Sequence, residues 1–313
     1  MYTDKSTIER STLPNTVGEQ MYALAVEMFP ICRSITGNGV RQTLDIIKRH
    51  IPVDINEVPT GSKVFDWEVP KEWNIKNAYI RNSRGEEIIS FSNSNLHVLN
   101  YSIPVHKRVS LEELKSHLFY LQDQPDWIPY RTSYYKEDWG FCISYSQFKT
   151  LTDDVYEVFI DATLEPGHLT YGEYYLPGEL EDEVLISAHI CHPSLANDNL
   201  SGISVSVFLA KQLQQMSRRY SYRFLFIPGT IGAITWLAVN EKTAPKIKHG
   251  LVLSLLGDAG DFTYKKSRRD TSEIDQIVSA VLKALDPKNR IIDFIPYGYV
   301  ERQYCSPGFN LAV

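Results

Sequence analysis

Two segments near the start of the chain have apolar residues at the spacing of an amphipathic helix. The apolar positions recur at three- and four-residue steps from residue 16 to residue 28, and again from residue 40 to residue 51. Pro52 follows the second stripe and lacks the backbone N–H that a helix interior needs. The pattern therefore predicts two helices, the second of which ends before Pro52.

The hydrophobic pattern changes between residues 59 and 136. Short β-type runs alternate here with Pro, Asn and Gly, which is typical of strands joined by turns. One short helix is predicted to begin at Ser110, because Glu113 completes a capping box before an apolar pair. We expect residues 59–136 to form a smaller β-rich domain that is inserted between core segments at 1–58 and 137–313.

From about residue 155 onward, the pattern alternates between strands and helices. Continuous apolar runs predict buried strands, and helical spacing predicts the segments between them. The predicted strands are 184–190, 224–227 and 251–256, and the predicted helices are 199–216, 231–239 and 274–285. Ser272 and Asp275 resemble a capping box at the start of the last helix, with Asp a weaker partner than Glu. This order indicates an α/β fold with a doubly wound sheet, whose ligands collect at the carboxyl ends of the strands.

Composition and charge exclude several classes of function. The 313 residues suffice for one large α/β domain or for a core with a smaller insertion. The net charge is -6 and no basic stripe is present, so we expect no nucleic-acid partner. No window approaches the roughly 20 apolar residues that a membrane span needs, so we expect no membrane insertion. The four cysteines lie far apart and form no CxxC pair, which favours a reducing compartment, the cytoplasm.

The densest cluster of polar residues, 187–202, follows the first of these predicted strands. Histidine and aspartate are natural zinc ligands, and a His followed by an Asp on a strand-to-helix loop can hold one ion from two directions. We favour His192 and Asp198 as this pair. His189 is an alternative ligand, although at the end of an apolar strand we expect it to pack as a structural histidine. Asp258 follows a later predicted strand and could reach the same sheet edge, or could simply occupy a turn.

The motif CHPSLANDNLSG at 191–202 resembles the signature of bacterial proteins with an aminopeptidase-like domain that are associated with polysaccharide biosynthesis. More distantly, it is similar to zinc aminopeptidases of the glutamate-carboxypeptidase and transferrin-receptor type. Further stretches that look like this family are CRSITGNGVRQTL at 32–44, VFDWEVPKEWNI at 64–75, NLHVLNYS at 95–102, WGFCIS at 139–144 and ERQYCSPGFNL at 301–311. The resemblance implies the fold of a zinc aminopeptidase, with a doubly wound mixed sheet and an inserted β-rich domain.

The resemblance also implies a site with two zinc ions and a glutamate that acts as general base towards a peptide or amide carbonyl. Asp198 matches the carboxylate that bridges the two ions. His192 and Asp258 match the other ligands of the first ion. Residues in the other motif-like stretches are candidates for substrate binding: Arg33, Asp66, Trp67, Trp139, Glu301 and Arg302.

The sequence departs from the family's pattern at positions that carry this chemistry. Where family members have Pro-Glu-Thr-Ile-Gly, this chain has Gly229 in place of the glutamate, and a glycine cannot accept a proton. Val300 stands in place of a carboxylate that is expected near the site. The family continues beyond Val313 into a segment with a late metal-binding histidine, so we expect the core to be truncated at its C-terminal end. We therefore expect one bound zinc ion rather than two.

Three functional interpretations are compatible with the sequence. The first is a metal-dependent hydrolase of peptide or amide bonds that acts on a peptide-like or glycan-linked small substrate and is impaired by the missing base. The second is a noncatalytic pseudoenzyme that serves as a binding or assembly protein in polysaccharide biosynthesis. The third uses Cys191 as a nucleophile and His192 as its base, which we disfavour because neighbours on an extended strand project to opposite faces unless the chain bends sharply there. Self-association into a homo-oligomer is left open.

Overall fold

The structure is a computed structural model that describes residues 16–298 and 300–313. Its helices are α1 (Thr16–Met28), α2 (Asn38–Lys48), α3 (Leu111–Lys115), α4 (Tyr145–Phe148), α5 (Gly202–Gln214), α6 (Ile231–Val239), α7 (Glu273–Leu285) and α8 (Glu301–Tyr304). Its strands are β1 (Asp54–Pro59), β2 (Lys63–Val64), β3 (Trp67–Glu68), β4 (Glu72–Arg81), β5 (Glu87–Ser90), β6 (Val105–Ser110), β7 (Leu118–Phe119), β8 (Phe141–Cys142), β9 (Val155–Glu165), β10 (His168–Leu176), β11 (Glu183–His189), β12 (Ser221–Ile227), β13 (Ile247–Val252), β14 (Thr263–Lys265) and β15 (Arg290–Ile292). None of the described helices is long and apolar enough to cross a membrane.

A mixed five-stranded sheet lies at the centre of the protein. The spatial order of its strands is β1, β10, β12, β11, β13. β12, β11 and β13 are parallel to one another, whereas β10 is antiparallel to both β1 and β12. The three parallel strands end at one edge of the sheet, so the loops that follow them meet there. The mixed α/β sheet that the sequence predicts is confirmed.

Alternate residues of the parallel strands point to opposite faces of this sheet. Ile186 of β11 lies in a buried cluster with Leu44 of α2 and with residues of α1 and α5. Leu185, its neighbour, points the other way and lies in the cluster that contains Trp236 of α6. Because both faces are covered, these strands read as continuous apolar runs in the sequence.

The edge strand β13 lies earlier in the chain than the sequence pattern predicts. It spans Ile247–Val252, whereas the apolar run indicated a strand at 251–256. In the described residues β13 pairs only with β11, and it includes Lys248 and His249. An edge strand can carry such polar residues, which the apolar-run criterion does not detect. The predicted strand was therefore placed about four residues too late.

A second, antiparallel sheet has the strand order β5, β4, β9, β6. Its longest pairing joins β4 to β9, so the sheet combines residues from within 59–136 with a strand that follows that segment. As predicted, Ser110 caps the short helix α3, because its side chain accepts a hydrogen bond from the Glu113 backbone N–H. The buried cluster of this sheet is continuous with that on the α6 face of the central sheet. The three-part domain division itself stays a prediction.

An ion-pair network ties helix α2 to strands of both sheets. The Arg41 guanidinium donates two hydrogen bonds of 2.7 Å to Glu72 of β4, and a third of 2.7 Å to Glu57 of β1. The hydrogen bonds from Arg41 lower the pKa of Glu72 to about 2, although its partial burial opposes the shift. This network joins the second sheet to helix α2 and to strand β1 of the central sheet.

Candidate metal centre

The polar cluster that the sequence singles out lies at the carboxyl edge of the central sheet. His189 is the last residue of β11 and is fully buried, at 0 % exposure. His192 lies in the loop that follows, and Asp198 lies in the irregular turn Ala196–Ser201 that leads into α5. The peptide bond between Asp198 and Asn199 is cis. The fold thus places all three side chains where ligands bind in open α/β sheets.

The side chains of His189, His192 and Asp198 converge on one point. One ligand atom from each lies within 4.8 Å of the others. The Nε2 atom of His189 is 2.7 Å from Oδ1 of Asp198, and Nδ1 of His192 is 3.3 Å from Oδ2 of the same carboxylate. Two imidazoles and one carboxylate form a donor set that zinc accepts, with further coordination positions left for other groups. The sequence interpretation gave His189 as the alternative ligand, and the structure brings it into the cluster.

The charge states of His189 and Asp198 suit metal binding, whereas His192 must give up a proton to bind. Burial lowers the pKa of His189, and the hydrogen bond to Asp198 only partly opposes this effect, so its imidazole is neutral near pH 7. Burial acts to raise the pKa of Asp198, but hydrogen bonds from His189 and His192 hold it well below its usual range. Burial also disfavours the cationic form of His192, but interactions with Cys191 and Asp198 outweigh it and raise its pKa. A neutral imidazole and an ionised carboxylate are the forms in which these side chains bind metals.

Asn199 holds the His189 imidazole from behind. Its amide nitrogen is 3.0 Å from the Leu253 carbonyl oxygen, 3.3 Å from the His189 carbonyl oxygen and 3.4 Å from His189 Nδ1. Its side-chain oxygen is buried and has no hydrogen-bond partner among the described residues. The amide therefore contacts the ring nitrogen that faces away from Asp198. A metal-binding histidine usually donates its second ring N–H to an acceptor, so Asn199 would serve this role with its amide oxygen, rather than its nitrogen, turned towards Nδ1.

The loops at this edge carry unusual backbone conformations. Ser194, Thr230 and Leu255 have φ angles of 38°, 58° and 57°. One lies after each of the parallel strands β11, β12 and β13. A left-handed conformation is costly for residues with a Cβ, at about 1–3 kcal/mol each, and such residues concentrate at functional sites. These three residues therefore lie at the same edge of the sheet as the metal cluster.

The segment 59–136 supplies a wall of the site that the sequence analysis missed. The Tyr130 ring centroid lies 5.0 Å from that of His192. The Tyr130 hydroxyl shares a 2.7 Å hydrogen bond with Tyr134, which in turn hydrogen-bonds to Ser34. Burial raises the pKa of both tyrosines well above the usual value, so both keep their protons. The one signal in the sequence was the abundance of tyrosine, which does not single out Tyr130.

Asp258 lies outside the compact cluster. Its carboxylate accepts hydrogen bonds from Asn197 Nδ2 and from the Gly260 backbone N–H, both at 2.7 Å, and its side chain is exposed. It shares the sheet edge with Asp198, since Asn197 belongs to the same turn. These contacts are those of a loop-stabilising aspartate. Its assignment as a metal ligand stays a prediction.

Gly229 leaves room for a side chain beside the cluster. It follows β12, and a Cβ atom added to it would lie 3.4 Å from Cys191 Sγ and 4.0 Å from His189 Cβ. Both distances are ordinary van der Waals contacts. The site therefore has space for a side chain at 229 that starts next to His189, where the sequence resemblance expects a glutamate.

Arg33 is buried behind the site rather than open to solvent. Its side chain is 1 % exposed, and it donates hydrogen bonds to the His192 carbonyl at 2.9 Å and to the Met28 carbonyl at 2.7 Å. Burial lowers its pKa to about 10, so the guanidinium stays charged at neutral pH. In these contacts Arg33 fixes the loop of His192. A direct contact with substrate stays a prediction.

The other predicted substrate residues separate into two groups. Asp66 and Arg302 line one cavity, and Trp67 packs edge-on against Tyr135 with a centroid distance of 5.4 Å. Glu301 pairs with Lys265 and interacts electrostatically with His189. Trp139 is different, because it is buried and its ring stacks on that of His117 with a centroid distance of 3.6 Å. The structure thus brings Asp66 into one cavity with Arg302 of α8, but not Trp139.

The sequence pattern predicts that Cys191 and His192 project to opposite faces, but in the structure their side chains contact each other. Strand β11 ends at His189, so the alternation of an extended strand no longer applies two residues later. The His192 imidazole hydrogen-bonds to the Cys191 thiol, and Cys191 Sγ also accepts the Gly229 N–H at 3.2 Å. The thiol is only 3 % exposed. The chain thus leaves the extended conformation on which the objection depended, but the thiol is enclosed by protein groups.

Comparison with known sequences gives one family and one close relative. The family model "Domain of unknown function (DUF4910)" matches residues 22–313. A polysaccharide biosynthesis protein with an aminopeptidase-like domain from Clostridium acetobutylicum is 56% identical over 296 residues, which cover 95% of this chain and 68% of that protein. The match therefore includes both sheets and the whole polar cluster.

Solved structures with a similar fold support the architecture described above. A crystal structure described as a peptidase from Clostridium acetobutylicum has a TM-score of 0.93 at 56% identity and covers 95% of this chain and 70% of that chain. A zinc aminopeptidase from Bacillus subtilis has a TM-score of 0.62 at 12% identity and covers 95% of this chain and 83% of that chain. At such low identity, the second likeness shows the fold alone.

Proposed function

This chain belongs to the DUF4910 family, with an aminopeptidase-like fold, and from that premise we propose that it binds one zinc ion as an impaired hydrolase of peptide or amide bonds. The observation that carries the proposal is the convergence of His189, His192 and Asp198 within 4.8 Å. Zinc bound there would act as a Lewis acid towards a substrate carbonyl.

The side chains around the cluster support specific roles. Asn199 and Arg33 position the two histidines, one through the His189 ring and the other through the His192 carbonyl. Tyr130 packs against the His192 ring and excludes water from that side. No side chain at residue 229 can take up a proton, so the step that needs a general base is the one we propose to be slow.

We propose a peptide-like or glycan-linked small substrate. The name of the Clostridium relative associates that protein with polysaccharide biosynthesis, and this supports a glycan-linked compound for the present chain. All four cysteines are free thiols, which supports a reducing compartment such as the cytoplasm. The net charge of -6 disfavours a nucleic-acid partner.

A noncatalytic binding protein is the second candidate, and Gly229 is the observation that favours it. General-base assistance typically contributes about 10²- to 10⁴-fold to a rate. Without it, a metal-bound substrate could be held and not turned over. The two candidates differ in whether turnover returns once a base is restored.

The Gly229→Glu variant tests this proposal. A glutamate side chain at residue 229 would begin at a Cβ atom 4.0 Å from His189 Cβ, and we expect its carboxylate to raise hydrolysis of aminoacyl p-nitroanilides by about 10²-fold or more. Initial rates are measured for the zinc-loaded native chain and for the variant. The matched control is Gly18→Glu, because Gly18 in α1 also has open space for a side chain but lies far from the cluster in sequence and on another element.

The outcome separates the candidates. A rate increase in Gly229→Glu that disappears when His192→Ala is added supports an impaired hydrolase. Equal, zinc-independent rates in native chain, variant and control contradict it. Zinc binding without hydrolysis in either chain favours the noncatalytic candidate.

A further inference from the structure

A cavity of about 580 Å³ lies between the inserted segment and helix α8. Its walls are the turn that joins β2 to β3, one side of α6, and the chain from Arg302 to Phe309. Small-molecule sites usually measure roughly 300–1,000 Å³ and are mainly apolar with a few polar groups. His189, His192 and Asp198 do not line this cavity. It is therefore a separate space from the metal cluster.

The apolar wall is formed by phenylalanines that the fold holds in place. Phe65 is 48 % exposed and occupies the first position of the two-residue β2–β3 turn, with a φ of 61°. Its ring packs edge-on against Phe309 with a centroid distance of 5.7 Å. Phe294 adds a third ring to the lining. The first position of a two-residue hairpin turn requires a positive φ, so the turn holds this bulky side chain in a fixed direction.

The polar groups of the cavity carry charges of both signs. Asp66 follows Phe65 in the turn, and Arg268 and Arg302 also line the cavity. Arg268 is fixed by hydrogen bonds of 2.8 Å to the Cys305 carbonyl and to Asn310 Oδ1. A carboxylate is the natural partner of a held guanidinium, and an ammonium group is the natural partner of Asp66.

We propose that this cavity binds a free amino acid, or a compound of that type, with an aromatic or large aliphatic side chain. The phenylalanine rings would enclose the ligand's side chain, Arg268 and Arg302 would bind its carboxylate, and Asp66 would bind its ammonium group. No zinc ion is required for this contact set. The inference is independent of the proposed hydrolase function.

Three probes of one shape test the proposal by calorimetric titration of the whole chain. L-phenylalanine carries both charges, 3-phenylpropionate lacks the ammonium group, and 2-phenylethylamine lacks the carboxylate. We expect L-phenylalanine to bind tightest and 2-phenylethylamine to bind about tenfold or more weaker, since hydrogen bonds to charged groups contribute strongly. Absence of L-phenylalanine binding, or equal affinity for all three probes, overturns the proposal.

Variants separate this cavity from the metal cluster. In Asp66→Asn, the preference for L-phenylalanine over 3-phenylpropionate should disappear, while Asp45→Asn, an exposed aspartate on α2, should keep it. His192→Ala should keep L-phenylalanine affinity even though it loses metal. Loss of affinity in His192→Ala, or equal effects of the two Asp→Asn changes, contradicts an independent site. Thermal unfolding of each variant checks that the fold is retained.

Discussion

His189 combines two properties that are rarely found in one side chain. It is the last residue of an apolar strand and is fully buried, and it also points its Nε2 atom at a carboxylate 2.7 Å away. Burial lowers its pKa and keeps the ring neutral, which is the form that binds a metal. The structural role that its strand position predicts and a ligand role are therefore compatible. The group that orients the ring then determines how well His189 Nε2 is presented to a metal ion.

Asn199 is the residue that we expect to orient it. Asn199→Ala removes the amide that contacts His189 Nδ1 and the Leu253 carbonyl. Loss of a partner behind a metal-binding histidine typically weakens metal affinity by about 10- to 100-fold. We expect a decrease in zinc affinity of about tenfold, measured by competition with a chromophoric chelator.

The matched control for this change is Asn197→Ala in the same turn. The Asn197 side chain hydrogen-bonds to Asp258 and to the Gly257 N–H rather than to the His189 ring. We expect little change in zinc affinity for this control. Equal effects of the two substitutions would mean that Asn199 acts on the turn as a whole and not on the His189 ring.

The helices and the first parallel strands were largely predictable because their signals are local. Helix α1 and helix α6 have the predicted bounds, and β11 differs from its predicted range by one residue at each end. Periodicity and continuous apolar runs reflect burial on one or both faces, which the sequence records directly. Edge strand β13 was predicted too late because it includes Lys248 and His249, which the apolar-run criterion does not detect.

The site was predictable only as far as it lies in one stretch of sequence. His192 and Asp198 come from one loop and one turn, and the structure brings them together. Tyr130 reaches the cluster from a part of the chain more than 60 residues away, and no pattern in the sequence indicates that contact. Non-local contacts of this kind depend on how the two sheets pack, which single-sequence patterns do not specify.

The pairing between α2 and β4 should make stability depend on acid pH. The pKa of Glu72 is about 2 in the folded protein, below the ordinary value of 4.5, chiefly because of its hydrogen bonds with Arg41. The unfolded chain therefore binds a proton first, so this contribution is present above pH 4.5 and is lost as the pH falls towards 2.

The test compares Glu72→Gln with native protein by urea unfolding between pH 6 and pH 3. We expect the native chain to lose more unfolding free energy than the variant over this range, because the variant has no carboxylate to protonate. Glu112→Gln, at an exposed glutamate in α3, should behave as the native chain does. Parallel pH profiles for native chain and Glu72→Gln would refute the role of this pair.

The whole molecule places two chemically different sites at one side of the central sheet. The metal cluster lies where β11 and β12 end, and the amino-acid cavity lies against α6 and α8. Tyr130 packs against the metal cluster and Phe65 and Asp66 line the cavity, so both sites have a wall from segment 59–136. A ligand that binds only the folded chain stabilises it, by about 4 kcal/mol at 1,000 times its Kd. Zinc and an amino acid should therefore each raise the unfolding temperature separately.

Zinc content per chain is the measurement that tests the central claim most directly. The protein is loaded with zinc, freed of excess and analysed by mass spectrometry of the metal, alongside His189→Ala, His192→Ala and Asp198→Ala. His106→Ala serves as control, because His106 is an exposed histidine of β6. We predict about one zinc ion per chain in native protein and control, and strong depletion in the other three. No zinc in the native chain, or equal zinc in all variants, would contradict the metal centre.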